Sequence, residues 1–409
     1  MAAMCSFRTL LLSCAICIFL LGIIHFEYSF DYRYMGRLSK LKFSNVFSPI
    51  LQVNDSEEKS QNESDRDDGE CEMCTSSQQL NFWSAEEWNS TDCEKTYKWI
   101  ATSPIQWQTE DDIIKMASQI QHCPWHHQGA EATEFRLELK RCCHAAYNCL
   151  VTQRNTPVGT ELTYEAEPKK KIKIHHQIFA IFPKDSSLRS QQYKRCAVVG
   201  NSGILTNSSC GAEINKADFV FRCNLPPMGG VFPQDIGTKT NLVTANPSII
   251  TERYGELQDR RRPFFTNLTI YNDALLLLPA FSYTKNTILS FRALYTLQDF
   301  QAKQKVVFFN PVYLKHLSEF WRSKGVRANR LSTGIMVTSM ALELCKQVLI
   351  YGFWPFKENV DGQAVSHHYF DNQLPKPDIH SMPLEYQQLL QMHSKGIVKL
   401  QMAPCQIDP

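Results

Sequence analysis

The sequence carries almost no net charge: 43 Lys and Arg stand against 41 Asp and Glu, a formal +2 at pH 7. Binding to a nucleic-acid backbone normally shows as a basic excess or stripe, so its absence excludes nucleic acid as the main partner. Short basic runs such as Lys169 to Lys173 read as solvated surface. Long apolar stretches are also scarce, and the one present is "LLLSCAICIFLLGII", Leu10 to Ile24. There is no internal repeat, no dinucleotide Gly-x-Gly-x-x-Gly and no P-loop lysine. No Cys-x-x-Cys stands near the clustered histidines, which removes the usual ligand spacing of a zinc site.

What is present points to an oxidising compartment. The apolar run falls short of the roughly 20 residues of a typical span, but early secretory membranes are thinner, and no small-x-small cleavage site follows it. It reads as an uncleaved signal anchor over residues 10–26, behind a cytoplasmic tail of residues 1–9. Flanking charge favours the opposite topology, because Arg33, Arg37, Lys40 and Lys42 follow the run and only Arg8 precedes it. Stronger evidence lies downstream. Sequons occur at Asn54, Asn62, Asn89, Asn207 and Asn267, and of 15 cysteines all but Cys5, Cys14 and Cys17 lie beyond the run. A lumenal location for everything after the anchor explains both, hence a single-pass type II membrane protein.

Residues 27–105 are polar, and the patch "NDSEEKSQNESDRDDGE" cannot bury enough apolar surface to fold alone, so this region reads as a lumenal stem. Its "DRD", Asp65 to Asp67, matches the Asp-x-Asp of metal-dependent glycosyltransferases only formally, since that motif needs a rigid strand end. Order is expected over residues 106–409. Ile113, Ile114, Met116 and Ile120 recur at helical spacing behind the acidic Glu110 to Asp112. A second helix is expected over "ATEFRLELKRCCHAAYNCLV", with Cys123 and Cys142 or Cys143 available to staple the two. Further on, "CAVVG", "FVFRCN", "TNLVTAN", "LLLLPAF", "KVVFFN" and "QVLIYGF" alternate with helical segments. That alternation predicts the α/β class, with a mostly parallel sheet flanked by helices.

Three constellations could carry chemistry, the first drawn from two strand ends. "CAVVGNSGIL" predicts a strand and tight turn whose N–H groups, around Gly200 to Gly203, would face a ligand at the carboxyl edge of the sheet. "FRCNLPP" ends another strand in Asn224, Pro226 and Pro227, a plausible wall for a base or sugar. "RLSTG" sets Ser332, Thr333 and Gly334 before a helix, which suits an anionic group and an ordinary cap equally. "SHHYFDNQLPKPDIHSMPLEY" holds His367 and His368, expected on opposite faces of an extended segment, then His380 and Glu385. Histidine is the natural general base near neutral pH.

Taken together these stretches resemble the four sialylmotifs of animal sialyltransferases. "RCAVVGNSGIL", "RCNLPP" and "DIGTKTNLVTANPS" resemble the long motif, and "RLSTGIMVTSMALELCKQVLIYGFWPF" the short one. "HHYFDN" resembles the third motif, and "HSMPLE" the very short motif with its His-x-x-x-x-Glu spacing. "CNLPP", "NPSII", "STG" and "YGFWPF" look like the α2,8-sialyltransferases, while "CPW", "RCCHAA" and "NTPVGT" look like type VI and then type V members. The resemblance implies a single Rossmann-like domain, a variant of the GT-A glycosyltransferase fold, anchored in the Golgi membrane and facing the lumen. It implies inverting transfer of sialic acid from CMP-Neu5Ac to a sialylated glycoprotein or glycolipid, giving mono- or short oligosialyl products, with no metal or other cofactor. Carried over residue by residue, Asn201, Asn224 and Pro226 would bind the donor nucleotide, and Trp354 would lie near it. Ser332, Thr333 and Gly334 would hold the donor's phosphate or carboxylate, and His367, with His368 beside it, would contact the phosphate. His380 would be the general base.

The resemblance also implies the disulfides Cys196–Cys345 and Cys210–Cys405, each closing a loop long enough to contribute about 4 to 5 kcal/mol by chain entropy. Cys223 is left as a buried thiol. Two positions depart from the pattern: Phe370 where Tyr is usual, and Ser202 where relatives often have Gly. Two rival functions follow. A polysialyltransferase would use the moderately basic stretch of Lys303, Lys305, Lys315, Arg322, Lys324, Arg327 and Arg330. A non-catalytic sialoglycan-binding relative is opposed by the retained His380 and Ser-Thr-Gly. Type V relatives suggest ganglioside acceptors, and type VI relatives O-linked glycans.

Overall fold

Buried apolar runs of four or so residues, spaced by helices, form the sheet. The computed structural model of the protein describes residues 90–106, 108–188, 192–372 and 380–406. The expected anchor, the "DRD" and the sequons at Asn54, Asn62 and Asn89 lie outside them. Among the described residues no helix is long and apolar enough to cross a membrane. A small antiparallel hairpin, β1 (Glu161–Thr163) and β2 (Lys171–Lys173), precedes the main sheet. That sheet has seven strands: β3 (Tyr193–Val199), β4 (Phe219–Arg222), β5 (Leu242–Thr244), β6 (Leu275–Leu278), β7 (Lys305–Phe308), β8 (Cys345–Tyr351) and β9 (Val398–Leu400). Every pairing is parallel, in the spatial order β7-β6-β5-β4-β3-β8-β9.

The order sets the ligand edge. From β3 the chain steps outward through β4 to β7, then returns to the other side of β3 for β8 and β9. That reversal opens a crevice at the carboxyl ends of β3 and β8, where ligands bind in open α/β sheets. Both faces are covered over most of the sheet, as parallel sheets require. Cys196, Val198, Phe221, Val348 and Ile350 belong to one core with the Thr333–Leu344 helix, and Ala197, Val199, Val243, Leu276 and Phe308 to the other with the Thr284–Asp299 helix. The Thr333–Leu344 helix is buried from Ile335 through Leu342, with no solvent face, so it serves as a central helix. β6 is a leucine run that becomes strand because parallel neighbours supply its hydrogen bonds on both sides.

The Glu110–Ser118 helix forms as its acidic start suggests, with Thr109 and Asp112 completing a capping box. Other expectations change. Folded structure reaches back to the Ser90–Thr102 helix, inside the region assigned to the stem, because Cys93 is bonded to Cys123. That bridge replaces the expected staple, and Cys142 pairs with its neighbour Cys143. The second amphipathic segment is two helices, Gly129–Cys142 and Ala145–Asn148, since His144 takes a left-handed φ of 53° and breaks the run. Cys196–Cys345 and Cys210–Cys405 are the two pairs the resemblance implies, and Cys223 is a buried free thiol.

Candidate active site

Three adjacent strands end the same way. Val199, Arg222 and Thr244 close β3, β4 and β5, and Asn201, Asn224 and Asn246 each follow two residues later. The three amides therefore line the carboxyl edge. The Nδ2 of Asn201 donates to the Cys223 carbonyl at 2.9 Å, while its Oδ1 is buried with no partner among the described residues. Asn224 and Leu225 are both left-handed, with φ of 62° and 44°, which turns the chain sharply before the prolines. The Asn224 N–H donates to Thr244 Oγ1 at 3.0 Å. Pro226 is buried, and its carbonyl accepts the Tyr271 hydroxyl. Behind this turn Arg222 is fully buried and donates to the carbonyls of Ile236 and Lys239 and to Thr240 Oγ1. No carboxylate is among those partners, so no ion pair among them neutralises the guanidinium.

The glycine turn works differently from the sequence reading. The N–H groups of Gly200, Ser202 and Gly203 donate to the carbonyls of Tyr351, Gly352 and Ser366, so they tie the turn to the end of β8 and to the segment before His367 and do not face a ligand. Ser202 fits because its Oγ caps the short helical turn at Ile204. Close approaches explain the glycines. A Cβ on Gly200 would collide with the Gly352 carbonyl oxygen and stand 2.9 Å from the Phe353 ring, and one on Gly334 would stand 2.7 Å from that ring. One aromatic ring is thus held between the turn after β3 and the start of the Thr333–Leu344 helix.

At that helix start, Ser332 is the cap: its Oγ accepts the Ile335 N–H at 3.2 Å. Its own N–H donates to Glu385 Oε1 at 2.8 Å, and its hydroxyl donates to Glu385 Oε2. Ser332 is therefore hydrogen-bonded within the protein through both its N–H and its hydroxyl. Burial pushes the Glu385 carboxyl up to about 7, opposed by the two hydrogen bonds from Ser332. The amides of Thr333 and Gly334, first in the helix, have no carbonyl four residues back within it and keep the dipole end open to an anion. The Thr333 hydroxyl donates to Asn246 Oδ1 at 3.3 Å, which joins the helix to the end of β5.

His367 and His368 do not point to opposite faces. Their segment bends, and the ring centroids are 4.4 Å apart. His368 Nδ1 is 2.7 Å from Asp371 Oδ1, and its ring stacks on Phe370 at 5.0 Å. Phe370 uses its ring face in place of a hydroxyl, with the Arg253 guanidinium 5.6 Å from its centroid. Tyr369 ties the segment to the site: its N–H donates to the Asn201 carbonyl at 2.8 Å and its hydroxyl to the Pro227 carbonyl at 2.7 Å. Burial lowers the His367 pKa, with the His368 charge adding to it.

Among the described residues one bond holds His380. Its Nδ1 lies 2.9 Å from the Arg330 carbonyl, which can only accept, so the proton sits on Nδ1 and Nε2 keeps its lone pair. Burial lowers its pKa below 6.5, partly offset by that bond. Trp354 is 4% exposed, its Nε1 donates to the Glu358 carbonyl, and it packs edge-on against Phe356 and Tyr386. It is a core residue. Asn246 and Phe353 were missed as contributors to the edge, and Glu385 was named without its contact to Ser332. The repeated strand-end asparagine could have flagged Asn246, whereas the Phe353 and Glu385 contacts join distant segments.

Residues 150–397 match the family model of glycosyltransferase family 29 (sialyltransferase). The chain is similar to Alpha-2,8-sialyltransferase 8F of Homo sapiens, 54% identical over 299 residues that span 73% of this chain and 75% of that protein. It is also similar to Alpha-2,8-sialyltransferase 8E of Rattus norvegicus, 47% identical over 320 residues that span 78% of this chain and 85% of that protein. With the family model covering more than half of its length, the chain belongs to glycosyltransferase family 29, the sialyltransferases, and is a glycosyltransferase.

Proposed function

We propose that the protein transfers sialic acid from CMP-Neu5Ac to a terminal sialic acid in α2,8 linkage, in the Golgi lumen, tethered by residues 10–26. The observation that carries the mechanism is the fixed tautomer of His380, which leaves Nε2 as the acceptor of a proton. The acceptor hydroxyl oxygen attacks the anomeric carbon of the donor while its proton passes to Nε2. The bond from that carbon to the phosphate oxygen breaks, and CMP leaves with the electron pair. One displacement inverts the centre. The growing charge on the CMP phosphate meets the Thr333 and Gly334 amides and His367, all fixed before the reaction begins.

The linkage reading is supported by relatives that are named as α2,8 enzymes. Polysialylation finds less support, because Lys324 is paired with Glu138 at 2.6 Å and Arg330 with Glu165 at 3.3 Å. The full-length chain should be assayed with labelled CMP-Neu5Ac against sialylated O-glycans, gangliosides and their desialylated forms. Transfer only to sialylated acceptors, with one or a few residues added in α2,8 linkage, is expected. Transfer to the desialylated forms alone, or long polymers by mass spectrometry, would overturn the reading.

A further inference from the structure

Parallel sheets normally have both faces covered by apolar packing. One face of β3, β8 and β9 departs from this near their amino ends. Arg195 pairs in register with Gln347, and two residues further along β8 Leu349 pairs with Lys399, so three polar side chains share that face. In place of a covering helix there is a cavity of about 740 Å³, which includes Arg195, Lys399, Trp125 and His393 in its lining. A neighbouring cavity of about 350 Å³ shares Trp125, Arg195, Glu213 and Lys399. Neither includes Asn201, Thr333 or His380, so both lie apart from the carboxyl-edge site.

The lining has a definite chemistry. Arg195, Lys216 and Lys399 stand against one carboxylate, Glu213, which is 3.7 Å from Lys399. His393 is buried, and its Nδ1 accepts the Leu400 N–H at 3.0 Å, so Nε2 carries the proton. That Nε2 is a buried donor with no partner among the described residues. Trp125 presents a half-buried indole whose own N–H is used, donating to the His393 carbonyl at 3.0 Å. An aromatic platform and amide side chains suit sugar hydroxyls. The planar fork of Arg195 suits a carboxylate, and Glu213 disfavours a ligand with a larger charge, such as a phosphate dianion.

We propose that this cavity is a binding subsite for a carboxylated saccharide, separate from the site of transfer. It is tested by titrating the full-length chain, with excess CMP present, with the α-methyl glycoside of N-acetylneuraminic acid and with its carboxyl-reduced analogue, by ligand-observed NMR. Two binding components are expected for the acid. Arg195→Ala and Lys399→Gln, changed separately, should each weaken one component about tenfold, the loss of one charge-assisted contact, while turnover stays within about twofold. Binding is read without turnover, so this result stands or falls independently of the linkage proposed above. Unchanged binding in both variants, equal binding of the reduced analogue, or equal competition by inorganic phosphate would overturn it.

Discussion

The Nδ1 of His380 lies 2.9 Å from the carbonyl oxygen of Arg330, and that contact decides which ring nitrogen can take a proton. His380→Ala should lower kcat by about 10²- to 10⁴-fold, the usual contribution of a general base, with donor KM little changed. Burial lowers the pKa below 6.5, so the base form persists as pH falls through 6.5 and activity is lost only below it. A kcat/KM profile whose acid limb is centred above 6.5 would contradict this assignment.

Glu385 should act through Ser332. Glu385→Ala leaves the buried Ser332 N–H without an acceptor, a loss of about 1 to 3 kcal/mol. Melting temperature should fall and donor KM rise, because the helix start loosens. Glu385→Gln keeps one acceptor and should lie between. A normal KM in a folded Glu385→Ala protein would count against the link.

Gly334 is set by Phe353, whereas Gly200 is set first by the Gly352 carbonyl oxygen and then by that ring. Gly334→Ala forces a methyl into the ring, an overpacking cost of about 1 to 3 kcal/mol, and Gly200→Ala meets backbone that cannot turn aside. Combining Gly334→Ala with Phe353→Leu should restore part of the lost stability in a thermal melt. No rescue would show that the ring is not the obstacle.

Asn246→Asp keeps an acceptor for the Thr333 hydroxyl but adds a negative charge at the edge. Donor KM should rise several-fold, on the order of 1 kcal/mol, with the melting temperature held. Unchanged donor KM would place the anion elsewhere.

Trp354 should matter for stability and not for the nucleotide. Trp354→Ala should cost about 3 to 5 kcal/mol, read by denaturant unfolding, whereas Trp354→Phe should retain donor KM. A large KM effect from the Phe variant alone would return Trp354 to the site.

Much was legible along the chain. The strands read as short buried runs because a parallel strand covered on both faces has no polar alternation to blur it. The Ser-Thr-Gly helix start and the His-x-x-x-x-Glu spacing were likewise local patterns. What the pattern could not show is which polar atoms were already used. Ser332 and Glu385 are 53 residues apart, and only their contact reveals that Ser332 is a buried cap. The Gly200, Ser202 and Gly203 amides looked available until Tyr351, Gly352 and Ser366 supplied their carbonyls.

The sequence by itself determined the α/β class, the family and the set of residues from which a site could be drawn, because periodicity, turn chemistry and motif spacing are properties of neighbours along the chain. Only the tertiary structure decided how that set divides. It put Asn246 beside Thr333, buried Trp354, paired Cys93 with Cys123 and fixed the proton on His380, since a hydrogen bond or a buried contact depends on distance in space and is invisible to residues read in order.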